Sequence, residues 1–343
     1  MFQCREWKKI CERYLYKFSN LLFYINTGNR WLSSLSTISN NESNRAYCYE
    51  RKMREIKLSN IEKAEMLILV DFSNLAYAAH YASLRDLQYT DTVGPAVFGA
   101  FRKTISQLKE LFSENTALIF CLDEFPQHKR DLIPSYKANR KKLENDPRPK
   151  LIECFSHTRT YFAKVKAQEA DDTIASICAQ YKEKQIIIVS ADQDLLQLKT
   201  YAHVDIYNLI KNEFYTKEFF QGKYGLTKWK FLPLYKACFG DASDNIKSAL
   251  PRVRKNSITE VINKTDGKLD SFIKEFWRSY QSQNTKEVFN NNLVNLKLNY
   301  KIVKLNKKLK IDFTKKNPNE KNIKKLFKTL EIKSLNTDIQ ILL

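Results

Sequence analysis

Three stretches of the chain stay apolar, without alternation, for about the length of one strand. They are MLILVD at Met66 to Asp71, ALIFCLD at Ala117 to Asp123 and QIIIVSAD at Gln185 to Asp192. Runs of this kind predict strands covered on both faces. Behind Pro95, a residue suited to the first helical position, Val97, Phe101, Ile105, Leu108 and Phe112 step three or four residues at a time. That spacing predicts a helix with one apolar face. Ile174, Ile177, Cys178 and Tyr181 predict a second helix, opening inside QEADDTIA at Gln168 to Ala175. Val204 to Tyr215 reads as further short strands and Trp229 to Phe239 as a helix. In the lysine-rich stretch from Lys301 to Leu343, LFKTLEIKSL at Leu326 to Leu335 is the most helix-like piece. Strands alternating with helices predict an α/β fold, a mostly parallel central sheet with helices on both faces.

Each apolar run stops at a carboxylate: Asp71, Asp123, and Asp192 with Asp194 just behind it. In an open parallel sheet the ligand site lies beyond the carboxyl ends of the strands, so these acids are expected along one edge. Glu169, Asp171 and Asp172 belong beside them. Glu169 and Asp172, three apart, share a helix face, and Asp171 lies in the same first turn. One or two acids at a helix start are ordinary, because unpaired N–H groups and the dipole favour negative charge there. A single aspartate after a strand is most often a turn or N-cap residue. Seven in one crevice would repel one another strongly, and a divalent cation is the simplest remedy. GDASDNI at Gly240 to Ile246 adds Asp241 and Asp244, a spacing that alone reads as a turn.

Charge sharpens this picture. Lys and Arg number 58 against 38 Asp and Glu, a net charge of +20, which points to a polyanionic partner, nucleic acid before membrane. No apolar run reaches the length of a bilayer span, so a soluble protein is expected. Cysteines 4, 11, 48, 121, 154, 178 and 238 lack CxxC spacing and read as reduced thiols of a cytosolic-type compartment. The insertion from His128 to Lys150 carries Lys129, Arg130, Lys137, Arg140, Lys141, Lys142, Arg148 and Lys150 around Tyr136. A solvated loop is the ordinary reading, but its length and its place over the acidic crevice fit a substrate with a phosphate backbone. Residues 1–65 show no buried-strand period. They are expected to be a poorly ordered or spurious extension, dispensable, with Met53 or Met66 as the start of the protein proper. An organellar targeting segment is the alternative, and seven acidic residues stand against it.

Taken in order, VDFSN, LDE, YKANR, EADD, SADQDLLQL and GDASDN resemble the metal-dependent 5′-nucleases. That family includes flap endonucleases, the 5′-nuclease domain of bacterial DNA polymerase I and stand-alone phage exonucleases. KRD ahead of YKANR, DFSN without a following arginine, and SADQDLLQL look most like the T-even phage RNase H branch. The resemblance runs from about Met66 to Leu335. It implies a PIN-like 5′-nuclease core over residues 66–239, with a helical arch at 124–168. Residues 240–343 would then hold a duplex with a helix–turn–helix and end in further helices. It also implies two Mg²⁺ ions, replaceable by Mn²⁺. Asp71, Asp123, Glu169 and Asp171 would hold the first; Asp172, Asp192, Asp194, Asp241 and Asp244 would complete the second. Lys137 and Arg140 are implied beside the scissile phosphate, with Tyr136 as a ring for a displaced base. Lys129, Arg130 and Lys141 of the basic insertion are expected as further contacts to nucleic acid, and Arg252, Arg254 and Lys255 are expected to meet its backbone by charge. Two features depart from the pattern: Ala78 stands where many members have an arginine, and SALPRVRK replaces a glycine-rich turn after SDNI.

The activity this implies is a structure-specific 5′-3′ exonuclease or flap endonuclease. Its substrates would be branched or nicked duplex DNA and RNA–DNA hybrids, met during primer or flap removal in replication and repair. It would act as a monomer in the cytoplasm, the host's if phage-encoded, with a single-strand-binding protein or polymerase as partner. Two rival readings are an accessory junction-binding protein without catalysis and a single-strand ribonuclease of the related PIN type. Intact carboxylates at nine positions stand against the first, and YKANR with GDASDN against the second.

Overall fold

The three carboxylate-ended runs are strands, and they are neighbours. In the computed structural model, β1 (Met66–Asp71) lies between β2 (Thr116–Cys121) and β4 (Gln185–Val189), parallel to both. The structure describes residues 58–87, 92–111, 115–140, 143, 145–251, 253–335 and 338–343. The extension before residue 58, Phe112, Lys141, Lys142 and Arg252 lie outside them. Beyond β2 comes β3 (Tyr161–Ala163), and beyond β4 comes β5 (Val204–Asn208), again parallel. Two short antiparallel strands close the edges, β6 (Glu213–Phe214) beside β5 and β7 (Phe313–Thr314) beside β3.

Strand alternation sends each buried run into two cores. Leu67, Leu69, Ile119, Ile186 and Ile188 face one of them; Ile68, Val70, Phe120, Ile187 and Val189 face the other. The second core is covered by α1 (Phe72–Ala82), α3 (Gly94–Leu111) and α5 (Arg148–Phe155). The short helix α2 (Leu84–Leu87) leads into α3. Phe101 stacks on Phe155 there, ring centroids 4.0 Å apart. The first core is covered by α6 (Ala170–Gln180), α8 (Leu232–Phe239) and helices of the last hundred residues. The expected α/β sheet with helices on both faces is present. Among the described residues no helix is long and apolar enough to cross a membrane.

This strand order puts a switch point between β1 and β4, because the chain leaves β1 toward β2 and β3 and returns on β1's other side. Crevices at such points are where open α/β sheets take ligands. Asp71 ends β1 on one side of it, and Asp192 follows β4 on the other.

Two expected boundaries shift. The fold begins before Met66: Leu58 bridges to Thr116, and Leu58, Ile61 and Ala64 are buried. No break separates residues 66–239 from 240–343, since the described residues of both belong to one compact unit. Strand β7 pairs with β3, and Asn299 of α12 (Leu293–Val303) donates to the carbonyls of Ala237 and Lys247 at 3.0 and 2.9 Å. The helix expected around Leu326 to Leu335 is α13 (Glu320–Thr329) and stops earlier.

Burial of Leu58 and Ile61 is worth about 1.5–3 kcal/mol for each side chain. A chain starting at Met66 should therefore melt several degrees below one starting at Glu55, read by circular dichroism. Equal melting temperatures would mean that residues 58–65 contribute nothing to the core.

Candidate active site

Asp71 ends β1 and caps α1, accepting from the Asn74 N–H at 3.1 Å. The Ser190 hydroxyl donates to its other oxygen at 2.9 Å, and the Asp192 N–H donates in turn to Ser190 Oγ at 3.0 Å. Asn74 also accepts from the Ala191 N–H at 3.0 Å. The ends of β1 and β4 are thus tied together by Asn74 and Ser190. Asp192 opens the 3₁₀ turn Gln193–Thr200 and accepts from the Asp194 N–H at 2.8 Å. Asp123, just past β2, accepts from the Ala170 N–H at 2.9 Å at the start of α6. Asp171 stands in that helix's first turn.

These four acids feel one another. Burial first, then Asp123 and Asp192, push the Asp71 carboxyl up to about 7. Burial, then Asp192 and Asp71, push Asp171 well above the usual carboxylate range. Burial also raises Asp192, despite the opposing pull of Lys236 and Lys137. Among the described residues, Asp71, Asp123, Asp171 and Asp192 have no ion-pair partner. Nor do any three Asp, Glu, His or Cys side chains of the described residues already stand together as a cation cage. Like charges without a counter-ion spread apart.

The remaining expected ligands are matched by the protein's own cations. The Glu169 carboxylate is buried and accepts from Lys129 Nζ at 2.6 Å, from the Tyr136 hydroxyl at 2.8 Å and from Lys137 Nζ. Burial would raise its pKa, but Lys137 and Lys129 outweigh it and hold the group at about 2. Asp172, 1% exposed, accepts from the Asn306 N–H at 2.7 Å, and Lys129 Nζ lies 2.8 Å from its other oxygen. Lys236 of α8 pairs with both Asp194 and Asp241, the latter at 2.6 Å. Asp244 accepts from Arg140 at 2.8 Å, with Lys137 Nζ at 3.7 Å. The site therefore does not hold the seven mutually repelling carboxylates expected from sequence. Lysines meet three of the seven, Glu169, Asp172 and Asp194, and the other four remain uncompensated.

Two residues expected to meet nucleic acid, Tyr136 and Lys129, and one expected to hold a metal ion, Asp172, have other partners in this structure. The Tyr136 ring is 2% exposed and its hydroxyl is committed to Glu169, so it offers no face to a base. Lys129 is buried between Glu169 and Asp172, which fixes α6 and is closed to a phosphate. Asp172 commits its oxygens to Lys129 and to the Asn306 N–H beyond α12. By contrast Arg140, Arg254 and Lys255 are exposed, the last at the start of α9 (Lys255–Asn263).

The arch segment holds α4 (Gln127–Leu132) and α5, and the YKANR residues lie on the turn between them. That turn is fastened to the GDASDN loop. The Lys137 N–H donates to the Asp244 carbonyl at 2.9 Å and Asn245 Nδ2 to the Ser135 carbonyl at 2.9 Å. Lys137 and Asn245 both take left-handed backbone, φ 52 and 56, at roughly 1–3 kcal/mol each. The loop itself closes through Asp241 and Ile246. Gly240, at φ 76, is required there because a Cβ would meet the Ile246 carbonyl oxygen at 2.4 Å. Next to Ala78, Arg148 lies over the Tyr77 ring at 5.2 Å and is held on Asp146 by hydrogen bonds of 2.7 to 3.0 Å. Lys236 is the site residue that sequence reasoning missed. Its one signal is a lone charge in the otherwise apolar stretch LPLYKACF, five residues before Asp241.

The family model described as 5′-3′ exonuclease, N-terminal resolvase-like domain, matches residues 66–225. The 5′-3′ exonuclease of Buchnera aphidicola subsp. Baizongia pistaciae is 30% identical over 214 residues, 60% of this chain and 68% of the relative. The chain belongs to the 5′-3′ exonuclease family. The 5′-3′ exonuclease of Aquifex aeolicus is 28% identical over 80% of this chain and 94% of its own length. The chain spans 65% and 62% of the curated 5′-3′ exonucleases of Buchnera aphidicola subsp. Schizaphis graminum and Mycoplasmopsis pulmonis. Among solved structures, a T5 5′-exonuclease with bound divalent zinc shares the fold at 15% identity and TM-score 0.55. It covers 78% of this chain and 98% of that one.

A stability test follows from Glu169. Its folded pKa is depressed, so its contribution is present above the unfolded value of 4.5 and is lost as pH falls through about 2. Glu169→Gln strands two lysines and should cost about 3 kcal/mol at pH 7 in denaturant melts. The gap to the unaltered protein should narrow as pH falls from about 4.5 toward 2. A gap that stays constant across that range would contradict the assignment.

Proposed function

We propose that this chain is a structure-specific 5′-nuclease that hydrolyses phosphodiesters near the 5′ end of DNA, or of RNA in an RNA–DNA hybrid, using divalent cations. One observation carries the reading. At an edge where lysine or arginine meets the other acids, Asp71, Asp123, Asp171 and Asp192 are left without such a partner, and burial raises three of them. Hard oxygen donors of this kind suit Mg²⁺ or Mn²⁺. These four would hold one ion. A second would draw on Asp194, Asp241 and Asp244, whose charges Lys236, Lys137 and Arg140 meet in this structure. Bound Mg²⁺ would supply a water of lowered pKa and take up charge on the phosphoryl oxygens.

The chain's own residues do the rest. Lys137 and Arg140, at the rim of the acids, bind the phosphate, and Lys137 offsets the charge that grows as the P–O bond breaks. Arg254 and Lys255, exposed at the start of α9, hold the duplex backbone. Phosphate contacts position without reading sequence, so cleavage follows the shape of the substrate. Removal of flaps or RNA primers during replication is the role this activity suits. Digestion of end-labelled flap, nicked and hybrid duplexes, with Mg²⁺ or with EDTA, tests the reading; no cleavage of any of them in Mg²⁺ would refute it.

Asp71→Asn and Asp192→Asn should each abolish cleavage while leaving duplex binding in gel-shift assays largely unchanged. Turnover of a flap by either variant in Mg²⁺ would remove the metal assignment. Lys137→Ala should slow single-turnover cleavage by about a hundredfold, the scale of losing one charge partner in the transition state. Should affinity alone fall, with the saturated rate intact, Lys137 only steers substrate.

A further inference from the structure

Phe125 is a large apolar side chain left 54% exposed, two residues past Asp123. Its Cα can lie no more than about 7 Å from that of the aspartate. A single exposed apolar residue is ordinary and needs no explanation. Two features set this one apart. The first is a rigid base. The Glu124 N–H donates to the Gln168 carbonyl at 2.9 Å, and the Glu124 carboxylate accepts from the Ala167 N–H at 2.8 Å. Pro126 is buried, and its carbonyl accepts from the Lys129 N–H at 3.0 Å. The second is a guanidinium. Arg130 lies over the ring at 4.6 Å and is anchored independently, its Nε donating to the Tyr136 carbonyl at 3.2 Å.

An aromatic ring on a fixed backbone, with a positive charge against it and much of its surface in water, is the arrangement that holds unpaired bases. Tyr136, the ring expected from sequence to do this, is buried, so the role falls to its exposed neighbour. We propose that Phe125, backed by Arg130, is a stacking platform for a nucleobase in the single-stranded 5′ segment of the substrate. The proposal rests on the reading that this edge takes nucleic acid, and it names the part of the substrate that touches the protein beside the acids.

The test measures binding without turnover. Fluorescence anisotropy in EDTA follows two 5′-flap duplexes that differ only in whether the flap nucleotides carry bases or are abasic. The intact chain should bind the base-carrying flap about tenfold more tightly, in keeping with one stacked base. Phe125→Ala should remove that preference, and Phe125→Trp should keep it, which also shows that the site tolerates substitution. Equal loss of affinity for both flaps in Phe125→Ala, or a preserved preference, would overturn the platform. Cleavage of flaps in Mg²⁺ by an intact chain that shows no base preference would remove the platform and leave the nuclease reading standing. A base preference without any cleavage would do the reverse.

Discussion

Repulsion among carboxylates at the carboxyl edge of the sheet is the constraint around which this molecule is arranged. Nine acids come from the ends of β1, β2 and β4, the start of α6 and the GDASDN loop, and for the eight that are buried or half-buried, all but Asp123, burial makes the charge costly. The chain answers by drawing lysines and an arginine inward. Lys129 joins Glu169 to Asp172, Lys137 reaches Glu169 and Asp244, Arg140 holds Asp244, and Lys236 joins Asp194 to Asp241. Much of the tertiary structure around the site consists of these bridges, since Lys129 and Lys137 come from the arch and Lys236 from α8.

The same bridges sort the acids by task. Those paired with a buried ammonium hold elements together, as Asp172 does by accepting from Asn306 beyond α12. Those without a partner are the acids proposed to hold a hard cation, and burial raises the proton affinity of Asp71, Asp171 and Asp192. Ser190 and Asn74, which bond to Asp71 and to the backbone after β4, hold two of the open acids in register. Left-handed backbone at Lys137 and Asn245, fastened across the turn, fits a segment whose position matters more than its local comfort.

The sheet was legible because β1, β2 and β4 each carry four or five residues of unbroken apolar sequence, enough for their burial on both faces to show. Strands β3 and β7, of three and two residues, carry no such period and become visible only through their partners. The residues from Leu58 to Glu65 escaped notice for a related reason. They enter the core through isolated side chains and a single bridge. Asp71, Asp123, Asp192 and Asp194 were legible from strand ends, Glu169, Asp171 and Asp172 from a helix start, and Asp241 and Asp244 through the resemblance, but their division into paired and open groups was not. That division depends on which lysines turn inward, and Lys129 meets Glu169 forty residues away in sequence. A basic loop read from sequence gives every lysine the same solvated face, and a lone lysine in an apolar helix, such as Lys236, gives no hint of two aspartates waiting for it.

The central claim is that Asp71, Asp123, Asp171 and Asp192 form a site for a divalent cation. Calorimetric titration of the intact chain with Mn²⁺ near neutral pH addresses it directly. The account predicts a saturable heat that Asp171→Asn weakens at least tenfold, while neutralising the solvent-exposed Glu287 leaves it unchanged. Absence of binding, or binding that ignores Asp171→Asn, would contradict it.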